Sequence, residues 1–93
     1  MTSRDDLISP SVLVWDSWRE VTPTTIEVTF LAGPASCTGI HATVTEATKD
    51  VTLDLTEGAL PGSTDCQAIA LTTTTRVSLT QPLDDRQVRQ SAS

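Results

Sequence analysis

Two cysteines, Cys37 and Cys66, carry the clearest covalent chemistry in this sequence, because two thiols can form a disulfide. Both lie at the edges of predicted strands, which suits a disulfide formed in an oxidising compartment, although a reduced cytosolic protein can also carry two cysteines. A bridge would close a loop of roughly 30 residues and stabilise the chain by about 3 to 4 kcal/mol in the chain-entropy model. We therefore predict a Cys37–Cys66 disulfide that supplies a large share of the stability of a small domain.

His41 is the one histidine, so it is the first candidate for general-base or metal-ligand chemistry. A zinc site needs several His, Cys or carboxylate ligands at close spacing, and Cys37, His41 and the distant Cys66 match that pattern poorly. Serine is plentiful, but no segment resembles the nucleophile elbow of a serine hydrolase. We predict a surface histidine, no catalytic residue, no metal site and no cofactor, and therefore a protein that is not an enzyme.

Acidic residues in predicted turns offer a second chemistry, which is oxygen ligation of calcium. The sequence contains no EF-hand loop and no nonapeptide repeat, so solvated turn residues explain these positions more simply. A calcium- or small-ligand-binding module that uses the acidic loops is kept as the alternative hypothesis. The residues concerned are Asp50, Asp54, Glu57, Asp65, Asp84 and Asp85.

Trp15 and Trp18 are the residues best suited to contact a partner, since tryptophan combines a large apolar ring with a hydrogen-bond donor. On one strand, a spacing of three places them on opposite faces, so one anchors the core while the other lies near the surface. The simpler alternative is that both lie at the edge of the core, because the chain has one Phe and no Tyr to fill volume. We predict a partner contact at Trp15, Trp18 and the neighbouring Arg19.

The segments that position these residues alternate apolar and polar side chains, which is typical of strands with one buried face. Residues 25–31 predict one such strand, and residues 40–46 and 51–57 predict a hairpin with His41 on its solvent face. The predicted inward residues are Ile26, Val28, Phe30, Ile40, Ala42, Val44, Val51, Leu53 and Leu55.

Three further segments are less regular. Residues 12–20 favour one strand, and the alternative is a short helix capped by Ser9. Residues 66–80 predict a long extended stretch that bends near residues 73–75. Its odd-numbered apolar residues, Ile69, Leu71, Val77 and Leu79, are predicted to lie on one buried face. A short final strand is predicted at residues 86–89.

These elements predict an all-β fold with about six strands and one disulfide. No convincing long helix is available to cover the apolar faces, so the sheet must fold onto itself as a small antiparallel β-sandwich or a partly open barrel. At 93 residues the chain is long enough for one domain. We predict an N-terminal arm at residues 1–11, a single β domain at residues 12–89 and a loose tail at residues 90–93.

The charge balance restricts the partners. The formal net charge is −6, and the six basic residues are scattered along the chain. Nucleic acids and anionic membranes are bound by clustered Lys and Arg, so both are poor candidates. No apolar run approaches the length of about 20 residues needed to span a bilayer, and residues 1–6 are polar rather than a signal sequence. The protein is therefore expected either to stay inside the cell or to have lost a leader.

From Phe30 onward, the sequence resembles small uncharacterised β domains of exported proteins and lipoproteins of high-GC Gram-positive bacteria, of the actinobacterial type. The segments that carry the resemblance are FLAGPASCTG before a strand, ATVTEATKDVTLDLTEG as a hairpin, the second cysteine, and TTTTRVSLTQPLDDRQV at the close. The resemblance implies an extracytoplasmic location, often behind a removed signal or lipid anchor, and a disulfide between the two cysteines. It implies no catalytic motif.

Together these observations favour a non-enzymatic interaction or accessory domain that works outside the cytoplasm. The expected partner is a protein or a cell-envelope component, and the oligomeric state is left open. The alternative remains the ligand-binding module with acidic loops.

Overall fold

A computed structural model describes residues 1–91 of the chain, and within that range it contains seven strands and no helix. Strands β1, β5 and β4 pair in that order in one sheet, sheet A, where β7 also pairs with β5, and strands β2, β3 and β6 form sheet B. All pairings are antiparallel except the parallel β5–β7 pair. The strands are Ile8–Leu13 (β1), Ser17–Thr22 (β2), Thr25–Ala32 (β3), Thr38–Glu46 (β4), Asp50–Ala59 (β5), Leu71–Ser78 (β6) and Gln87–Arg89 (β7).

The predicted all-β sandwich with one disulfide is confirmed, with seven strands rather than about six. Its core lies between the two sheets and follows the alternation of the sequence: Ile26, Val28 and Phe30 of β3 are fully buried. On the facing sheet, Val51 and Leu53 of β5 are equally buried. Burial of one such side chain contributes about 1.5 to 3 kcal/mol, so these two central strands hold the sheets together.

The prediction of one strand at residues 12–20 is wrong. The chain forms β1 in sheet A, crosses at residues 14–16, and continues as β2 in sheet B. The crossing is fixed by Trp15, whose ring enters the core and whose Nε1–H donates to the Leu53 carbonyl oxygen at 2.8 Å. Alternation describes the residues of one strand, but it does not show where a strand changes sheets.

The N-terminal arm is shorter than predicted, because β1 begins at Ile8 rather than after residue 11. Pro10 is tolerated because β1 is an edge strand, and the pairing with β5 is irregular between Ile8 and Ser11. The arm itself is docked along β4: Ser3 forms a parallel bridge with Ile40, and the Arg4 N–H donates to the Ile40 carbonyl oxygen at 2.9 Å.

Two glycines make room for this arm. Gly39 of β4 and Gly58 of β5 lie directly opposite each other, on the outer face of sheet A. A Cβ on Gly58 would lie 2.9 Å from the Ile8 carbonyl oxygen and 2.9 Å from Leu7 Cβ, whereas a Cβ on Gly39 would meet the flexible ends of Leu7 and Leu60. The arm therefore packs on a part of the sheet that has no side chains.

Gly58→Ala is expected to destabilise the fold by about 1 to 3 kcal/mol, because the added methyl group meets backbone that cannot move away. Gly39→Ala is the matched control, since its neighbours are side-chain ends that can shift, and its cost is expected to be smaller. Urea unfolding followed by circular dichroism measures both. Equal costs for the two variants would show that close approach of the β1 backbone is not the reason for glycine at position 58.

The extended stretch predicted at residues 66–80 is shorter, and its pairing is not interrupted at residues 73–75. Residues 61–70 have no regular structure, and β6 pairs with β3 without interruption from Leu71 to Ser78. Ile69 and Leu71 are 46 % and 45 % exposed, so the prediction that they lie inward is wrong, whereas Val77 and Leu79 are buried as predicted. The disulfide holds Cys66 near the start of β4 in sheet A, so the chain must first travel to sheet B before it can pair.

The C-terminal residues 90 and 91 are not loose. The Gln90 side chain is buried and binds the Trp15 backbone on both sides, accepting from its N–H at 3.1 Å and donating to its carbonyl oxygen at 3.0 Å. Ser91 donates to both carboxylate oxygens of Asp54 at 2.7 and 2.8 Å. The prediction of a loose tail is wrong for these two residues, and residues 92 and 93 lie outside the described part of the chain.

The Glu46 carboxylate, at the end of β4, binds the turn between β6 and β7. Glu46 accepts from the Thr80 hydroxyl at 2.6 Å and the Thr80 N–H at 2.8 Å, and also from the Gln81 N–H and Arg86 Nη2. These donors, chiefly the Thr80 hydroxyl, favour the ionised form and lower the pKa of Glu46 from 4.5 to about 2. The contact joins the ends of two sheets.

These hydrogen bonds to Glu46 are expected to make the stability of the fold depend on pH. Because the folded-state pKa lies below the unfolded value of 4.5, the contribution of Glu46 is fully present above about pH 5 and is lost as the pH falls toward 2. Glu46→Gln should therefore flatten the decline of the urea midpoint between pH 5 and pH 2. Glu20→Gln, which changes an exposed residue with the same charge, is the control; if both variants change the slope equally, Glu46 is not the group responsible.

Candidate functional site

The predicted disulfide is present and links two parts of the chain at one end of the sandwich. Cys37 and Cys66 have Cα atoms 5.8 Å apart and are separated by 29 positions. Cys37 is buried at 6 % exposure directly before β4, whereas Cys66 is exposed in the irregular segment 61–70. A disulfide is compatible with an extracytoplasmic location.

The two tryptophans have different surroundings. Trp15 is 8 % exposed and belongs to the core, so it is removed from the predicted partner contacts. Trp18 is 37 % exposed on β2, where it lies opposite Val28 and therefore on the inner-face side at the border of sheet B. One tryptophan anchors the core and the other reaches the surface, but the reason is the crossing between sheets rather than alternation along one strand.

Arg19 lies on the other side of β2, on the outer face of sheet B. It is opposite Glu27, and its Nε donates to Glu27 Oε1 at 2.9 Å, while Arg76 Nε of β6 donates to Glu27 Oε2 at 3.3 Å. The two guanidinium groups lower the pKa of Glu27, and the hydrogen bond from Arg19 makes the larger contribution. Both arginine side chains stay more than 60 % exposed, so they are oriented by the carboxylate and still reach solvent.

Strand β2 is a border strand. In residues 1–91 it pairs only with β3, so the other side of its backbone lies against no strand. An edge of this kind can accept an added strand from another polypeptide, because unpaired N–H and C=O groups line it. Its pairing with β3 is regular from Ser17 to Glu20 and irregular beyond that residue. Trp18 and Arg19 therefore lie within the regular part of this free edge, and their side chains are on opposite faces of the sheet.

His41 lies on the outer face of sheet A, as predicted, but it is half-buried beneath the N-terminal arm. Its Nδ1 is 3.1 Å from the Arg4 carbonyl oxygen, and a shallow pocket of about 160 Å³ beside it is lined by Arg4, Asp5, Leu7, Pro10, His41 and Thr56. The ring helps to hold the arm in place.

The six acidic residues considered as calcium ligands do not come together. Asp50 pairs with Arg89 at 3.8 Å, and Asp54 accepts from Ser91, so these carboxylates are used within the chain. Asp65, Asp84 and Asp85 are exposed in loops. In the described range 1–91, no three His, Cys, Asp or Glu side chains lie close enough to hold a metal ion.

The sequence reasoning missed a groove beside the disulfide. We call it the disulfide groove; its volume is about 430 Å³, and it is lined by Ile8, Ser9, Ser11, Cys37, Thr38, Glu57, Gly58, Ala59 and Cys66. Glu57 of β5 is half-buried, lies opposite Ser11 of β1, and accepts from the Gly33 N–H at 3.2 Å. The groove depends on the pairing of β1 with β5. The sequence does not predict this pairing, because residues 1–10 show no alternating pattern.

Comparison with known proteins adds no assignment: no protein-family description, curated protein or solved structure matches this chain. Among the elements that the structure describes, none is a helix with the length and apolar character needed to cross a membrane.

Proposed function

We propose that this chain is a non-enzymatic interaction domain that works outside the cytoplasm and binds a polypeptide through the free edge of β2. The observation that carries the proposal is the exposure of Trp18, 37 %, on a strand that pairs on one side only. The disulfide supports the location, and so does the resemblance to exported domains of the actinobacterial type.

A polypeptide fits this edge better than other cell-envelope components, because an extended chain brings its own backbone donors and acceptors. Its alternate side chains would lie beside Trp18 on one side and Arg19 on the other. Tryptophan and arginine are the residue types that contribute most often to binding energy at protein interfaces. The Glu27 carboxylate holds Arg19 in place before the partner arrives, which reduces the entropy cost of binding.

Site-specific photo-crosslinking tests this function. A benzoylphenylalanine replacing Trp18 is expected to form an adduct with one polypeptide of the source organism's cell envelope, whereas the same probe at the exposed Thr43 of sheet A forms none. Unlabelled protein should compete for the adduct, and Trp18→Ser should compete at least about tenfold less well, since hot-spot residues contribute about 2 kcal/mol or more.

Leu31→Ser is the matched control for this competition. Leu31 is an exposed apolar residue of the central strand β3, 51 % exposed and away from the free edge, so its variant should compete as well as the natural protein. The proposal is overturned if Trp18→Ser competes equally well, or if the probe at Thr43 captures the same polypeptide.

A further inference from the structure

We infer that the disulfide groove is a second binding site, and that it takes a primary ammonium group on an alkyl chain, such as a lysine side chain. The groove lies at the disulfide end of the sandwich, and its lining is separate from Trp18 and Arg19. This inference goes beyond the proposed function and does not depend on it.

The charge of the groove is negative and uncompensated. Of its nine lining residues, Glu57 is the only charged one. The nearest basic residue along the arm, Arg4, pairs with Asp6. The chain as a whole has a formal net charge of −6, which raises the local concentration of cations around it. A cationic ligand is therefore favoured over an anionic or neutral one.

The hydrogen bonds of Glu57 discriminate between kinds of cation. Its Oε2 accepts from the Gly33 N–H at 3.2 Å, and no group in residues 1–91 donates to Oε1. A guanidinium binds best when both carboxylate oxygens face its fork, and the bond from Gly33 leaves Oε2 one lone pair fewer for that arrangement, so a contact at a single point is favoured over a fork of two parallel bonds. Calcium takes six to eight oxygen ligands, and one carboxylate does not supply them. An ammonium group is a point charge that one free oxygen can bind.

The remaining walls fit such a ligand. An ammonium group has three donors, and the lining includes the hydroxyl-bearing residues Ser9, Ser11 and Thr38, whose oxygens can accept in addition to Glu57. Ile8, which is 52 % exposed, and Ala59 supply an apolar wall against which a methylene stem can lie. Carboxylate, hydroxyls and apolar wall together match an alkyl ammonium rather than a free ammonium ion.

Nuclear magnetic resonance titration with Nα-acetyl-lysine amide tests this site. Chemical-shift changes are expected at the amides of Gly33, Thr38 and Glu57, and the neutral analogue acetylated at Nε should produce none. Glu57→Gln keeps an oxygen that can accept from Gly33, so the fold should persist, but the loss of charge should weaken binding at least about tenfold. Asp85→Asn, an exposed turn residue with the same change of charge, should bind as the natural protein does.

A second variant keeps the test decisive if Glu57→Gln disturbs the fold. Ser11 is exposed on β1 opposite Glu57, and Ser11→Leu fills the groove while Glu57 keeps its charge, so binding should again be lost. The inference is overturned if the acetylated analogue binds equally well, if Asp85→Asn weakens binding as much as Glu57→Gln, or if no amide shifts. Trp18→Ser should leave the titration unchanged, which separates this site from the β2 edge.

Discussion

Trp15→Ala is expected to lower the free energy of unfolding by about 3 to 5 kcal/mol, the cost of removing a large aromatic side chain from a packed core. The ring is 8 % exposed and belongs to the buried cluster between the sheets. Its indole N–H also donates to the Leu53 carbonyl oxygen at 2.8 Å, so the variant leaves a buried acceptor on β5 without that partner. This is a large part of the total stability of about 5 to 15 kcal/mol for a domain.

Trp18→Ala is the control of identical chemistry. Trp18 is 37 % exposed at the border of sheet B, whereas Trp15 is 8 % exposed, so the loss of Trp18 should lower the free energy of unfolding by less than the loss of Trp15 does. Urea unfolding followed by far-ultraviolet circular dichroism compares the two without relying on tryptophan fluorescence. Similar costs for both variants would contradict the placement of Trp15 in the core and of Trp18 at the surface.

Reduction of the Cys37–Cys66 disulfide is expected to lower the free energy of unfolding by about 3 to 4 kcal/mol, because the bond no longer restricts the unfolded chain. The bonded residues are 29 positions apart, which sets the size of the effect in the chain-entropy model. For a domain of this length, the melting temperature should fall by roughly 12 to 30 °C. Thermal unfolding with and without reductant, together with intact mass to confirm the two added hydrogens, measures the change.

The double variant Cys37→Ser, Cys66→Ser provides the control for this measurement. It should melt near the reduced natural protein, and its melting temperature should not respond to reductant. A natural protein whose free thiols are demonstrated but whose melting temperature is unchanged would show that the bond contributes little to stability. That outcome would also remove the main physical reason to place the domain in an oxidising compartment.

The central strands are the elements that the alternation of apolar and polar residues predicts correctly. The side chains of β3 alternate along the sequence as Ile26, Glu27, Val28, Thr29 and Phe30, and the structure buries the apolar members of that series. The β4–β5 hairpin was predicted on the same basis and is confirmed. Alternation predicts such strands because a pleated strand presents successive side chains to opposite faces, whatever its neighbours are.

The candidate sites depend on contacts that local pattern does not contain. Trp15 and Trp18 are three residues apart, yet one enters the core and the other borders a free edge, because the chain changes sheets between them. Glu57 lines a groove only because β1, which carries Ser11, pairs beside it. Gln90 is buried because it binds the Trp15 backbone from a distance of 75 positions.

The sequence by itself therefore determined the fold class, the two central apolar strands and the hairpin, since each depends on residue type and short-range spacing. It also limited the disulfide to one pairing, because the chain has two cysteines. The tertiary structure alone decided which strands share a sheet, which strands lie at its edges, and which of the two tryptophans reaches the surface. Those properties arise from pairing between residues far apart in the chain, such as β1 with β5 and Met1 with Thr74. Long-range pairing of this kind is selected by the packing of the whole core, and periodicity within one segment does not record it.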